Sequence, residues 1–478
     1  VHDISKIETV LGDGELALDL YKPYNAASHE LSLKLFSPGK PLPLSDILPT
    51  LENMGLKVIA EYPFEVCPEG SQTPIWIQDF LMEVHTEQSA VSSKEDVEKI
   101  KAQFESCLKG VWAGTIEDDG LNRLVLIANL PWRDVTILRT YVRYLRQTRI
   151  PFSLPYMEQA VTDYPQIARL LVDLFHALFN PSRPVTKAKG ESDSIVTAIR
   201  QNLQNVTALD QDRILRGLTA LIEATLRTNF FQADSAGQAK PYLAVKLNSS
   251  AVPEIPDPRP FREIFVYSPR VEAIHLRMDR ISRGGIRWSD RNEDFRTEVL
   301  GLMKAQQVKN SVIVPMGAKG GFIVKQPPKS GGREAFQKEG IECYRTLVRG
   351  ILDITDNQKG QKIIPPQNVI RRDEDDPYVV VAADKGTATF SDIANALSLE
   401  YGFWLGDAFA SGGSAGYDHK KMGITARGSW ESVKRHFREL NHDTQTSEFD
   451  VVGVGDMGGD VFGNGMLQSR KIRLIGAF

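Results

Sequence analysis

The sequence predicts a multidomain chain, α+β in its first part and α/β in its last, and three observations carry that prediction. Strand-like and helix-like runs follow one another as βαββα between residues 29 and 120. A 3.6-residue apolar period then takes over from about 121 to 235, and strands alternating with long helices return after Lys240. The 478 residues suit about three domains, and 42% hydrophobic with 25% charged residues excludes wholesale disorder, a collagen-like repeat or a disulfide-stapled miniprotein. Beginning at Val1 and ending at Phe478 inside a strand pattern, the chain is expected to be an internal piece of a longer one.

In the first part, Leu31 to Phe36 alternate apolar and polar residues. Ser45 then stands as N-cap of a helix carrying Leu48, Leu51 and Met54, with Gly55 as its stop. Strands are predicted at Lys57 to Val66 and Ile75 to Val84. Ser92 with Glu95 reads as a capping box before Val97, Ile100, Phe104 and Leu108 at helical spacing. The order is most of a split βαβ unit and resembles the ACT-type domains that bind amino acids beside metabolic enzymes, so residues 1–28 read as a linker and 29–120 as an ACT-like domain.

Residues 121–240 read as a helical spacer. Ile167, Leu170, Leu171, Leu174 and Leu178 form one stripe behind Pro165, and Ile214, Leu215, Leu218, Leu221, Ile222 and Leu226 form another opened by Asp210. The polar stretch from Asn180 to Ser194 is expected to be an exposed loop. Residues 241–446 follow as an α/β domain. They comprise a strand at 242–247, a hairpin of Glu263 to Tyr267 and Val271 to Leu276, a short strand at Val312 to Val314, a helix from Arg333 to Asp356, a buried strand at Tyr378 to Ala383 and a helix through Ala394 and Leu397. Residues 447–478 read as the opening of a Rossmann domain.

The 57 Lys+Arg against 61 Asp+Glu leave a net charge of −4, which gives no electrostatic reason to seek nucleic acid or an anionic membrane. Three scattered cysteines, Cys67, Cys107 and Cys343, point neither to disulfides nor to a zinc site and fit a cytoplasmic protein, and no apolar run approaches a membrane span.

The chemistry is concentrated in three segments. From Arg277 to Lys325, the glycine pairs Gly284-Gly285 and Gly320-Gly321 stand beside Arg283, Arg287 and Lys319, with Gln306 and Lys309 on the helix between. Glycine admits close backbone approach and clustered cations suit carboxylates, so a small dianionic substrate is expected here. In the second segment, Asp384 falls where a buried strand gives way to a turn, the place where α/β sheets put proton-transferring groups. The neighbouring acids Asp373, Glu374, Asp375 and Asp376 read as solvated. The third, Gly453-x-Gly455-x-x-Gly458, follows a strand and leads toward a helix, the setting of a dinucleotide fingerprint.

GGIRW, VKNSVIVPMGAKGG, AADKGTATFSD and GVGDMGGDVFGNGM together resemble the large bacterial NAD-dependent glutamate dehydrogenases, most specifically over 240–478. The resemblance implies oxidative deamination of L-glutamate to 2-oxoglutarate with NAD as cofactor. Arg283 would meet the side-chain carboxylate beside Gly284 and Gly285, while Lys309, with Gln306 on the same helix face, would meet the α-carboxylate. Lys319 and Asp384 are the catalytic pair it implies. Thr425 of GITARG would lie near the nicotinamide, and Gly453, Gly455, Asp456, Met457 and Gly458 would form the pyrophosphate turn. The family also implies a homo-oligomer, a tetramer, with an amino-acid effector conceivable at the ACT-like domain. The open alternatives are a dehydrogenase of another amino acid and a regulatory or substrate-binding module without catalysis.

Overall fold

The computed structural model describes residues 2–27, 29–84, 93–148, 150–309, 316–383, 388–411 and 422–478. For residues 185–188, 308, 309, 382, 383, 388, 389 and 460 it describes the backbone alone. The first unit runs α1 (His2–Asp13), β1 (Ala17–Tyr21), β2 (Glu30–Pro38), α2 (Leu44–Asn53), β3 (Leu56–Val66), β4 (Ile75–Val84) and α3 (Lys94–Trp112). Its four strands form an antiparallel sheet in the order β1-β2-β4-β3. The first 28 residues are therefore not a linker. Leu18 and Leu20 are buried against Leu33 and Leu35, and Val10 of α1 packs with Phe36, because this stretch alternates apolar residues like its neighbours. Two helix starts also shift. Helix α2 begins behind Pro43 rather than at Ser45, burying Ile47 and Leu51, and the capping box before α3 is Ser93 with Asp96, one residue beyond Ser92 and Glu95.

The middle unit comprises α4 (Leu124–Ile127), α5 (Trp132–Arg146), α6 (Leu154–Thr162), α7 (Pro165–Phe179), α8 (Val185–Leu203) and α9 (Leu209–Ala224). Helix α8 corrects the loop expected over 180–194. Gly190, Glu191, Asp193 and Ser194 of this helix are exposed, while Ile199 and Leu203 further along are buried. The apolar faces of these helices join the first sheet in one continuous core.

The last unit is built on an eight-stranded sheet of β5 (Thr225–Thr228), β6 (Leu243–Leu247), β7 (Arg262–Tyr267), β8 (Val271–Arg277), β9 (Ser282–Trp288), β10 (Met316–Val324), β13 (Val380–Ala383) and β14 (Ala410–Ser411), in the order β14-β13-β9-β10-β8-β7-β6-β5. Strand β5 belongs to this sheet, so the boundary expected at 240/241 lies too late. Pairs from β5 to β10 are antiparallel, whereas β10, β9, β13 and β14 run parallel. Helix α10 (Phe295–Lys309) covers one face; α11 (Gly332–Asp353) and α12 (Ala388–Glu400) cover the other. A small hairpin of β11 (Asn357–Lys359) and β12 (Lys362–Ile364) follows α11. The strand expected at Val312 to Val314 lies outside the described residues. A separate parallel pair, β15 (Phe449–Gly453) with β16 (Ile472–Ala477), closes the chain behind the helix Ile424–Glu439.

Candidate functional site

Side chains alternate along a strand, so Arg283, Gly285 and Arg287 of β9 share the α10 face while Ile286 joins the opposite core. The parallel register sets Gly317 beside Arg283 and Gly320 beside Ile286, which brings Lys319 level with Gly285 and onto the same face. Arg283 and Lys319 are thus diagonal neighbours on adjacent central strands. The Arg283 guanidinium is exposed and donates to the Ser411 hydroxyl at 2.9 Å. Lys319 is partly buried and makes no ion pair or hydrogen bond with any described residue. Among the described residues neither cation has a carboxylate partner, and the two stand side by side.

Helix α10 is held over them by buried anchors. Arg296, fully buried, donates to Glu263 of β7 at 2.9 Å, and Tyr144 of α5 donates to the same carboxylate at 2.8 Å. Nearer the site, Arg287 pairs with Glu298 at 3.1 Å, and the Ser289 hydroxyl donates to Glu298 at 2.5 Å. Glycines let the helix come close: a Cβ on Gly321 would stand 2.6 Å from Val299, and one on Gly317 would stand 3.0 Å from Gln306.

Gln306, expected to touch substrate, donates its amide to the Arg283 backbone carbonyl at 3.1 Å, which makes it a support of Arg283. The room beside Gly284, expected to admit ligand, is filled by the sheet itself, since a Cβ there would lie 1.5 Å from the Ala318 carbonyl oxygen. Gly285 sits between the two cations, paired with Ala382 of β13. Lys309 ends α10, and its side chain lies outside the described residues. Asp384 follows directly on Ala383 and is itself outside them. Val380, at the start of the strand that leads to it, pairs with Arg283. Sequence reading missed Ser411; a lone serine on a two-residue strand carries no pattern that would have found it.

Around the glycine loop, a Cβ on Gly453 would meet the Phe462 ring at 1.9 Å, so that glycine is required by packing, whereas Gly455 has φ +128° and open space beside it. The helix expected after Gly458 is present but short, ending two residues past Asn464. Asp456 accepts from the Gly458 amide at 2.9 Å and folds the loop into a turn, and a single π-helical turn, Asp460–Asn464, follows. Met457 is exposed. Gly423, with φ +62°, starts the helix Ile424–Glu439 and its Cβ position lies 3.6 Å from Asn464, which sets exposed Thr425, in that helix's first turn, near the glycine loop.

The four acids expected to be solvated divide. Asp375 and Glu374 are exposed, but Asp373 and Asp376 are buried against Arg227, Lys246 and Arg277.

Family comparison agrees with this layout. Residues 198–478 match the bacterial NAD-glutamate dehydrogenase catalytic domain, residues 116–181 the glutamate dehydrogenase helical motif 3, and residues 15–95 the glutamate dehydrogenase ACT3 domain. The NAD-specific glutamate dehydrogenase of Halomonas elongata is 54% identical over 479 residues, and that of Pseudomonas aeruginosa 52% over 480, each covering 100% of this chain. The corresponding protein of Mycobacterium tuberculosis is 51% identical over 93% of the chain. The chain spans 29% of the length of the first two relatives. With one family model accounting for all of the eight-stranded sheet and the glycine loop, the chain belongs to the bacterial NAD-glutamate dehydrogenase family.

Proposed function

We propose that the protein catalyses oxidative deamination of L-glutamate to 2-oxoglutarate and ammonia with NAD as hydride acceptor. The observation that carries this reading is the pair of uncommitted cations, Arg283 and Lys319, on the α10 face of the sheet. Cations set beside glycine backbone and lacking carboxylate partners among the described residues suit a dianion, and an aliphatic amino acid would leave one of them unmatched.

The residues around Gly455 fit a dinucleotide: they follow the end of β15, which runs parallel to β16, the glycine has open space, and Thr425 stands nearby. Gly453, Gly455, Asp456, Met457, Gly458 and Thr425 would hold NAD, which when bound supplies the acceptor for the substrate's α-hydride. The chain's own work is to orient and to move protons. Arg283, steadied by Ser411 and Gln306, would take the side-chain carboxylate, and Lys309 at the end of α10 the α-carboxylate. Lys319 would assist water at the α-carbon, and Asp384, one residue past β13, would exchange protons with the departing ammonia.

Assembly as a homo-oligomer is supported by the edge strand β3, which exposes Ile59, Tyr62 and Phe64, and the tetramer is the form the family resemblance implies. The ACT-like sheet would offer an amino-acid effector its site. Among the described residues no helix is long and apolar enough to cross a membrane, which accords with a cytoplasmic place. Turnover by the full-length protein on glutamate and on leucine tests the reading: glutamate-dependent NADH formation is expected, and a preference for leucine overturns it.

A further inference from the structure

On the far side of the sheet end from the uncommitted cations lies a second polar assembly that the proposed reaction does not touch. Arg227 on β5, Lys246 on β6 and Arg277 on β8 are 0%, 2% and 1% exposed, which is unusual for such residues unless each charge is matched. The matching acids are Asp356, just after α11, and Asp373 and Asp376, in the segment that leads into β13. Three buried positive charges face these three acids, and the partly exposed Arg371 also reaches Asp356 at 3.3 Å.

The contacts run the length of that segment. Arg227 donates to Asp373 at 2.6 Å, to Asp356 at 3.0 Å and to the Glu374 carbonyl at 2.8 Å. Lys246 donates to Asp373 at 2.5 Å and to Asp376 at 2.7 Å. Arg277 pairs with Asp376 and donates to the Tyr378 carbonyl at 2.9 Å, two residues ahead of Val380. The Asp376 amide donates to Asp356 at 2.7 Å, and the Arg372 amide to the Leu226 carbonyl of β5 at 3.0 Å. Residues 372–378 are thereby fastened from β5, past β6, to β8. They then enter β13, which lies beyond β10 and β9 in the sheet.

We propose that this network is a register strap, in which Lys246 and Arg277 act as positioning residues that set where β13 begins and hence which of its residues stands beside Arg283. The inference rests on the functional reading above. Strand β13 has four residues, Val380–Ala383, and a slip of one residue would turn its side chains to the opposite face. A strand this short has few ladder bonds to prevent that. Buried ion pairs contribute little net stability relative to apolar packing, but they tolerate few alternative arrangements, which is the property a register device needs. With the strap fastened, Val380 pairs with Arg283 and Ala383 with Ile286.

The test uses the full-length protein and steady-state kinetics with glutamate and NAD. Lys246→Met combined with Asp373→Asn removes one charge of each sign and so leaves no unmatched ion. It is expected to fold, to lose about tenfold or more in kcat, and to keep its KM for glutamate within about threefold, since Arg283 itself is untouched. Arg277→Lys keeps the charge but gives up the two-pronged hold on Asp376 and Tyr378, and is expected to show the same split; it decides the question if the double variant fails to fold. Lys246→Arg is expected to restore most of kcat. Folded variants with wild-type kcat, or a loss confined to the amount of folded protein, overturn the strap alone. A wild type that does not reduce NAD with glutamate overturns the functional reading and the strap with it.

Discussion

Gln306 reaches from α10 to donate its side-chain amide to the backbone carbonyl of Arg283 at 3.1 Å, joining the helix that ends at Lys309 to the strand that presents the exposed guanidinium. The bond ties the two elements expected to hold the two ends of the substrate. Gln306→Leu in the full-length protein is expected to raise KM for glutamate by up to about tenfold, the equivalent of one ordinary hydrogen bond, with a smaller effect on kcat. An unchanged KM would show that the bond does not support binding.

Gly284 has no room for a side chain, because its Cβ position is 1.5 Å from the Ala318 carbonyl oxygen. Backbone cannot yield as a flexible side chain would, so β9 and β10 must separate. Gly284→Ala is therefore expected to lower the unfolding midpoint and abolish turnover together. A variant of wild-type stability would contradict the pairing of these strands.

Glu158 of α6 is buried beside Asp119, and burial, reinforced by that negative neighbour, pushes its carboxyl up to about 7. In the unfolded chain it titrates near 4.5. The folded state thus keeps a proton that the unfolded state releases, and stability falls as pH rises from 4.5 to 7. Glu158→Gln is expected to stabilise the chain by about 3 kcal/mol or less above pH 7, with the gain vanishing below pH 4.5. Denaturant midpoints across that range check it; a gain independent of pH would refute the assignment.

His275 on β8 is 1% exposed, neither ring nitrogen has a hydrogen-bond partner among the described residues, and burial, aided by Arg277, pushes the imidazole down to about 3. Here the unfolded state gains the proton first, so stability is lost as pH falls from 6.5 toward 3. Subtracting the wild-type stability from that of His275→Leu should give a constant above pH 7 and a growing advantage for the variant below 6.5. A flat difference would mean that His275 does not remain neutral in the fold.

Much of the fold was legible because period and punctuation agree: Gly55, Pro165 and the Ser268-Pro269 turn all fall where their chemistry predicts. The misreadings have a common origin. Polarity suggests a loop over residues 180–194 and solvated acids at Asp373 and Asp376, whereas a helix can carry a polar turn and an acid can be buried when cations from distant strands meet it. Those cations lie from 99 to 146 residues away in sequence, beyond the reach of any local pattern. Arg283 and Lys319 were legible as a motif, but their adjacency follows from the β9–β10 register, which no spacing rule supplies.

That adjacency is the central claim, and the most direct measurement is kcat for glutamate oxidation by full-length Lys319→Ala, with the folded state verified by its unfolding midpoint. If Lys319 assists water at the α-carbon, kcat should fall by about a hundredfold or more, the usual contribution of a positioned acid–base group. A folded variant that keeps most of its kcat would contradict the proposed chemistry.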